Sequence, residues 1–537
     1  MSRPGRGRGK PASAPVVKLH SSGTALTAAL SPGSGPGQPA TFDDTAKDVL
    51  FDMFKGPDDR VAIGKFLSTL SALGLRHSDP RLREMKQRLM EAVTPDDLVL
   101  DILDYGPQHA PAAPSGPAGP AGPAGPAGPP SSTACPAACL NREEFRRIVG
   151  SSMPLLSRAL RGRLTIAPVD EFCSRTRAIF ERCGSNRDGA VATYIPQLAV
   201  MDANSWGAAV CSVDGQRFSL GDAGLPFTLQ SIRRAAPRDP EWVKKNNTIK
   251  KRVRVQPKKY KIAEWVEAAR NRFCTSYTTF NVERNSLYLP FPSKRARRRS
   301  KPLTYALCLE HLGADVVHRF VGQEPSGRNF NELVLDDNNR PHNPMVNSGA
   351  IVVCSMLKQL LQPEMSSAQK FELTLNFIQR MAGGEKLGFN NAVFVSERDA
   401  GDRNYALAFL MREHNCYPQR TRLRSIMDLY FQCCSMECTC DSLAVVGATL
   451  ANRGVCPLTE ERVLGEEAVR DALSLMQSCG MYDYSGQFAF KVGIPAKSGV
   501  SGGILAVVPN VLGLACWCPA LDKLGNSARA VQFCEVR

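Results

Sequence analysis

Two short stretches of this chain carry residue types suited to acyl transfer. The first is Leu229-Gln230-Ser231, which follows a Pro226-Phe227 loop. A serine placed there can open a helix with its hydroxyl aimed at a carbonyl carbon. The same position suits a helix cap, which is the commoner use of a serine after a loop. The second stretch is Pro495-Ala496-Lys497-Ser498-Gly499-Val500-Ser501-Gly502-Gly503. A Lys-Ser/Thr-Gly element on a strand, combined with a Ser-x-x-Lys helix start, is an acyl-transfer layout. Its glycines let backbone N–H groups approach a reacting carbonyl oxygen closely. A glycine-rich strand bend gives the same letters with no chemistry.

These residues need a frame. Residues 207–213 and 216–220 alternate around Asp214-Gly215, a hairpin signal. Helical patterns dominate 301–480, and strand patterns return at 486–492, 503–508 and 511–517. Strands on both sides of a helical middle predict one antiparallel sheet carrying a helical insert, an α+β layout. The most apolar run, 502–521, is broken by Pro509-Asn510. It reads as two buried strands, and no membrane span is expected.

Towards the N-terminus the pattern is helical at 48–54, 61–73 and 80–90, with Ser78-Asp79-Pro80 as a helix start. Residues 106–139 turn to Pro, Ala and Gly, with GPA repeated over 116–128. So few triplets cannot hold a collagen helix, and a linker is expected. Helical periodicity resumes at 141–160 and 169–183. Together these stretches predict a small helical domain over 41–191 and a second domain over 192–533. Paired helices suggest an EF-hand. Its nearest calcium-loop match, Asn186-Arg187-Asp188-Gly189, lacks the oxygen ligands, so no calcium or other metal site is expected.

The formal charge of +16 is unevenly spread. Residues 232–300 hold 20 Lys+Arg against 5 Asp+Glu, and residues 1–42 hold five basic residues and no acid. The remainder is slightly acidic, so no specific nucleic-acid partner is expected of it. Residues 1–40 are rich in Arg, Ala and Ser without an apolar core. That composition suits a mitochondrial transit peptide or a plain disordered tail rather than a secretory signal. The only tight cluster among the 18 cysteines is Cys433, Cys434, Cys438 and Cys440, in a helical-looking stretch, 426–450. Without paired CxxC spacing these read as buried free thiols in a reducing compartment.

Further stretches bring in a family. Tyr194-Ile195-Pro196-Gln197-Leu198, Pro341-His342-Asn343-Pro344-Met345-Val346-Asn347, Ser396-Glu397-Arg398, Gly401-Asp402-Arg403-Asn404 and Ser478-Cys479-Gly480-Met481-Tyr482 closely resemble motifs of the animal mitochondrial glutaminases, kidney and liver types. They resemble the bacterial glutaminases more distantly. The resemblance covers 41–105, 140–231 and 301–533. It implies a β-lactamase-like catalytic domain preceded by a small EF-hand-like helical domain without calcium ligands. It also implies hydrolysis of L-glutamine to L-glutamate and ammonia through a serine acyl-enzyme. The family's setting would be a homotetramer in the mitochondrial matrix, activated by phosphate and needing no cofactor.

Residue by residue, Ser231 resembles the nucleophile, Lys301 the base and Tyr482 a proton relay. Glu397 would hold the substrate's α-ammonium, while Asn347, Asn404, Tyr430 and Tyr194 would hold its α-carboxylate and fix its orientation. The N–H groups of Val500 and Ser231 would form the oxyanion hole. Each has a plainer alternative: Glu397 as a surface ion pair with Arg398, the asparagines as caps or turn residues, the tyrosines as core. A penicillin-interacting or β-lactamase-like hydrolase is the competing enzyme class. Glu397 and the two asparagines argue against it, because they suit an α-amino acid.

One departure stands out. The family's serine and lysine lie three positions apart, within one helical turn. Here Ser231 and Lys301 are 70 positions apart, with the basic stretch 232–300 between them. That stretch is either a functional basic loop, contacting nucleic acid, acidic lipid or importin through Lys294-Arg295-Ala296-Arg297-Arg298-Arg299, or translated non-coding sequence. Insertions are normally accepted at loop tips, whereas catalytic groups must be held to about 0.5 Å. The second reading is therefore favoured, with strongly reduced activity for the chain as it stands. The alternatives to an active enzyme are a catalytically impaired glutaminase-like protein and a basic interaction protein built on 232–300. Finally, Phe330 lies in a loop, 327–339, that resembles a subunit-interface loop of the kidney-type enzyme.

Overall fold

A computed structural model describes residues 42–92, 138–228, 301–326 and 334–536. The expectations for 1–40, for nearly all of 106–139, for Ser231, for 232–300 and for Phe330 lie outside the described residues. What is described falls into two compact units, one within 1–73 and 81–164, the other within 74–80 and 165–537.

The first unit is helical: α1 (Phe42–Phe54), α2 (Ile63–Ala72), α3 (Arg83–Ala92), α4 (Arg142–Val149) and α5 (Met153–Leu160). Its core is aromatic. Phe51, Phe54, Phe66 and Phe145 meet edge to face, with ring centroids 5.1 to 5.8 Å apart. Burying each ring contributes about 2–3 kcal/mol. Two short strands, β1 (Val61–Ala62) and β2 (Cys139–Leu140), pair antiparallel between the helices. A capping box between Asn141 and Glu144 starts α4.

The second unit is built on an antiparallel sheet. In chain order its strands are β3 (Gly207–Ser212), β4 (Arg217–Gly221), β5 (Phe227–Thr228), β6 (Gly388–Phe389), β7 (Met436–Cys438), β8 (Ala496–Ser498), β9 (Gly503–Val508) and β10 (Leu512–Trp517). The main sheet runs β4-β3-β10-β9-β8, and a small one runs β5-β7-β6. Alternation assigns the two faces. Ala209, Cys211, Leu505, Val507, Ala515 and Trp517 join the large helical core. Ala208, Ile504, Ala506 and Cys516 face the other way, into a core with Trp206 and Phe533.

Among the described residues, its helices longer than one turn are α6 (Val169–Gly184), α7 (Lys301–Leu312), α8 (Asn347–Gln359), α9 (Ser367–Met381), α10 (Asn391–Asp399), α11 (Asp402–Glu413), α12 (Leu423–Cys434), α13 (Cys440–Ala451), α14 (Glu466–Cys479), α15 (Ser485–Lys491) and α16 (Ala528–Glu535). Helix α13 lies directly on the sheet. A Cβ on Gly513 would fall 2.3 Å from the Ala448 nitrogen, so only glycine lets strand and helix backbones approach this closely.

The structure departs from the sequence reading in three places. Residues 486–492, expected as a strand, form α15 instead. Phe488 is buried while Phe490 is 90% exposed, so the apparent alternation spans too few residues to separate helix from strand. The stretch 426–450 is not one helix. Thr439 closes a capping box with Ser442 and starts α13 afresh, leaving β7 between two helices. Helix α6, expected in the helical domain ending at 191, belongs to the second unit, which begins at 165. Phe180 stacks on Trp206 at 4.9 Å, which ties α6 to the edge of the sheet.

Candidate active site

Lys301 is the first described residue of α7 and is 5% exposed. Its ammonium donates to Asn347 Oδ1 at 2.6 Å and to the Met345 carbonyl at 3.2 Å. Asn347, first in α8, in turn donates from Nδ2 to Asn404 Oδ1 at 3.1 Å. Burial pulls the Lys301 amine down to about 8, although the Cys434 and Cys354 thiols and the Glu397 carboxylate oppose the shift. A lysine in this range can exchange a proton near neutral pH.

A second cluster is anionic. Glu397 on α10 is buried and accepts from the Tyr194 hydroxyl at 2.6 Å. Burial, and then the charge of Glu397, hold the Tyr194 phenol far above its usual value. Burial does the same to Tyr430 on α12, followed by Cys434 and Glu397. Glu397 is therefore not at the surface, and Arg398 pairs with Asp399 at 3.5 Å. The Glu397 charge acts on the Lys301 amine, which places the two clusters within electrostatic reach of each other.

Tyr482 sits in a tight turn at φ +53°, in the left-handed region. For a non-glycine residue this costs about 1–2 kcal/mol. The turn is held open. Ser485 donates from Oγ to the Tyr482 carbonyl at 2.7 Å, and Asn526 reaches the Met481 carbonyl at 3.3 Å. The phenol donates to the Ser498 carbonyl on β8 at 2.9 Å. Tyr482 packs in one apolar cluster with Val500, Ile195 and Tyr194.

Val500 lies in the turn between β8 and β9, closed by Gly499 N–H donating to the Gly503 carbonyl at 2.9 Å. Gly502 has φ +89°, and a Cβ there would sit 2.0 Å from the Cys518 carbonyl oxygen. The same turn anchors the chain leading to Ser231. Ser501 Oγ donates to the Thr228 carbonyl, Trp517 Nε1 donates to the Ser501 carbonyl at 2.8 Å, and Phe227 stacks on Trp517 at 5.3 Å. Thr228, three positions before Ser231, is thereby fixed beside Val500.

Bonds, packing or charge therefore link Tyr194, Lys301, Asn347, Glu397, Asn404, Tyr430, Tyr482 and Val500. Ser231 lies outside the described residues. A cavity of about 270 Å³ opens against Tyr482, Met345, Val346 and Cys479. Its size is close to the ~300 Å³ lower end for ligand pockets and suits a small molecule. Sequence reasoning gave Lys497 no role of its own, yet its ammonium lies 4.6 Å over the Tyr482 ring. The Lys-Ser-Gly triplet was the signal that could have found it. Among the described residues, no group of three or more His, Cys, Asp or Glu side chains is placed to hold a metal ion.

This combination of an antiparallel sheet, a helical insert and a buried lysine beside an amide and carboxylate cluster defines a β-lactamase-like α+β fold. Solved structures share it. The chain matches "Crystal Structure Analysis of Mglu in its native form" with TM-score 0.52 and 31% identity, over 69% of this chain and 71% of that one. It matches the same protein "in its glutamate form" with TM-score 0.52 and 30% identity, over 69% and 68%.

The chain belongs to the glutaminase family. The family's sequence pattern matches residues 189–272 and 297–536, breaking off within the basic stretch, and an EF-hand domain pattern matches 46–167. The mouse "Glutaminase liver isoform, mitochondrial" is 39% identical over 488 residues, 91% of this chain and 63% of that protein. The "Glutaminase" of Nostoc sp. is 36% identical over 352 residues, 65% of this chain and 83% of that protein. The chain thus spans somewhat under two thirds of the mouse relative's length.

Proposed function

We propose that this chain hydrolyses L-glutamine to L-glutamate and ammonia through a serine acyl-enzyme. The observation that carries the reading is the buried Lys301 amine, held at about 8 and bonded to Asn347. In this reading neutral Lys301 takes the Ser231 proton as Oγ attacks the side-chain amide carbon. The N–H groups of Val500 and Ser231 receive the developing oxyanion, where one such donor is typically worth about 2.7–4 kcal/mol. Tyr482 passes a proton to the departing nitrogen, and ammonia leaves. Water then cleaves the glutamyl ester, and its proton restores the serine.

Recognition follows from the same residues. Glutamine is a zwitterion with a neutral tip, so its site needs charge at one end only. Glu397 with Tyr194 suits the α-ammonium. Asn347, Asn404, Tyr194 and Tyr430 suit the α-carboxylate and orient the chain. The proposed chemistry uses no metal or organic cofactor. The relatives' names support a mitochondrial setting. The family resemblance extends the proposal to the matrix, to a transit peptide over 1–40, to a homotetramer and to activation by phosphate.

The test is a coupled glutamate assay on the purified chain, with and without phosphate. Glutamate formation that disappears in Ser231→Ala supports the reading. Turnover of a β-lactam without turnover of glutamine contradicts it.

A further inference from the structure

We propose that Lys497 is a positioning residue for Tyr482, clamping the ring and the phenol against the Ser498 carbonyl and so setting where the phenol delivers its proton. The proposal deepens the amidohydrolase reading and rests on it.

Three contacts make the clamp. The Lys497 ammonium lies 4.6 Å over the Tyr482 ring centroid. It donates to the Ser498 carbonyl oxygen, the same atom that accepts from the Tyr482 hydroxyl at 2.9 Å. It also reaches the Gly480 carbonyl at 3.3 Å, two residues before Tyr482, where the Ser498 N–H donates at 3.1 Å. One side chain therefore touches the face of the ring, the acceptor of its hydroxyl and the backbone leading into its left-handed turn. None of these bonds goes to Tyr194, Asn347, Glu397 or Asn404, so the clamp acts on the proton relay and not on the groups proposed to hold glutamine.

The arrangement has a chemical consequence. A carbonyl oxygen has two lone pairs, and the Lys497 donor takes one at close range. The other accepts from the phenol, so both donors meet on one oxygen and the hydroxyl is held in one direction. The Lys497 amine over the ring face fixes the tilt of the ring, and with it the direction of the hydroxyl. The proton inventory closes. Ser231 gives its proton to Lys301, the phenol gives its own to the departing nitrogen as the C–N bond breaks, and the Lys301 ammonium restores the phenol. Lys497 is itself deeply buried, and burial and then the charge of Lys301 lower its affinity for a proton, as expected of two amines sharing one small site.

The experiment is a double-mutant cycle on the full chain, reading ammonia release. Lys497→Met is expected to lower kcat by about 30-fold, less than the roughly 10²–10⁴-fold that loss of the proton donor itself would cost. The glutamine KM should stay within about threefold, because Lys497 does not touch the proposed substrate groups. In a Tyr482→Phe background the same substitution should cost less than about threefold. Lys497→Gln, which keeps a donor for the carbonyls, should recover part of the loss. Equal losses in both backgrounds, or a rise in KM at constant kcat, would overturn the proposal. A single 3-fluorotyrosine at position 482 gives a readout independent of turnover. Its 19F line should broaden or split in Lys497→Met. An unchanged line overturns the clamp even if the wild-type chain releases no ammonia, a result that would instead count against the functional reading.

Discussion

The Lys301 ammonium on α7 and the Asn347 side-chain oxygen at the start of α8 lie 2.6 Å apart. The bond aims the amine without neutralising it, because an amide carries no charge. What moves the lysine is burial, which brings it to about 8. A base works only when unprotonated. The kcat/KM for glutamine should therefore rise about tenfold per pH unit below 8 and level off above it. A pH–rate profile measures this, and a flat profile from pH 6 to 9 would remove Lys301 as the base.

Asn347→Asp tests the same bond through its charge. A carboxylate at this distance favours the ammonium and should raise the Lys301 value by about 1–3 units. The acidic limb of the profile should move to higher pH by that amount, and activity at pH 7.5 should fall about eightfold or more. Reduced activity with an unmoved limb would mean that Asn347 acts on the substrate alone.

Glu397 and Tyr194 make a prediction about binding. Their 2.6 Å bond presents a buried carboxylate to a cationic group. Glu397→Gln should lower kcat/KM about 10–150-fold, the range for a lost hydrogen bond to a charged group, mainly through KM. Tyr194→Phe should lower it by about tenfold. A selective loss in kcat would place Glu397 in the chemistry instead.

Lys370 offers a test of stability away from the site. It is 2% exposed, and its ammonium has no hydrogen-bond partner among the described residues. Burial lowers it to about 8. Between pH 8 and 10.5 the unfolded chain binds the proton and the folded chain does not, so stability rises with pH across that window. The cost is complete below pH 8. Lys370→Met should stabilise the chain by about 1–3 kcal/mol at pH 7, and the gain should vanish near pH 10.5. Urea unfolding at both pH values measures it.

Much of this site was legible in the sequence. The alternation around Asp214-Gly215 and the break at Pro509-Asn510 marked the sheet, because a turn signal between two apolar runs identifies a hairpin even where the strands are short. Glu397, Asn347 and Asn404 were legible only through family motifs, since an isolated carboxylate or amide does not show its burial. The helix 485–491 was not legible, because seven residues do not separate a period of 2 from one of 3.6. Nor was the role of Lys497, which depends on a shared carbonyl created by pairing the turn at 480–482 with β8.

The proposed acyl transfer depends most directly on the relation of Ser231 to Lys301. Removing residues 233–299 would leave Ser231-Ile232-Ser300-Lys301, the one-turn spacing of the family. Ammonia release from glutamine should be measured for this deletion, for the full chain and for Ser231→Ala in each. The deletion should turn over glutamine much faster than the full chain, and Ser231→Ala should abolish both activities. A silent deletion beside an active full chain, or activity that survives Ser231→Ala, would contradict the proposed acyl transfer.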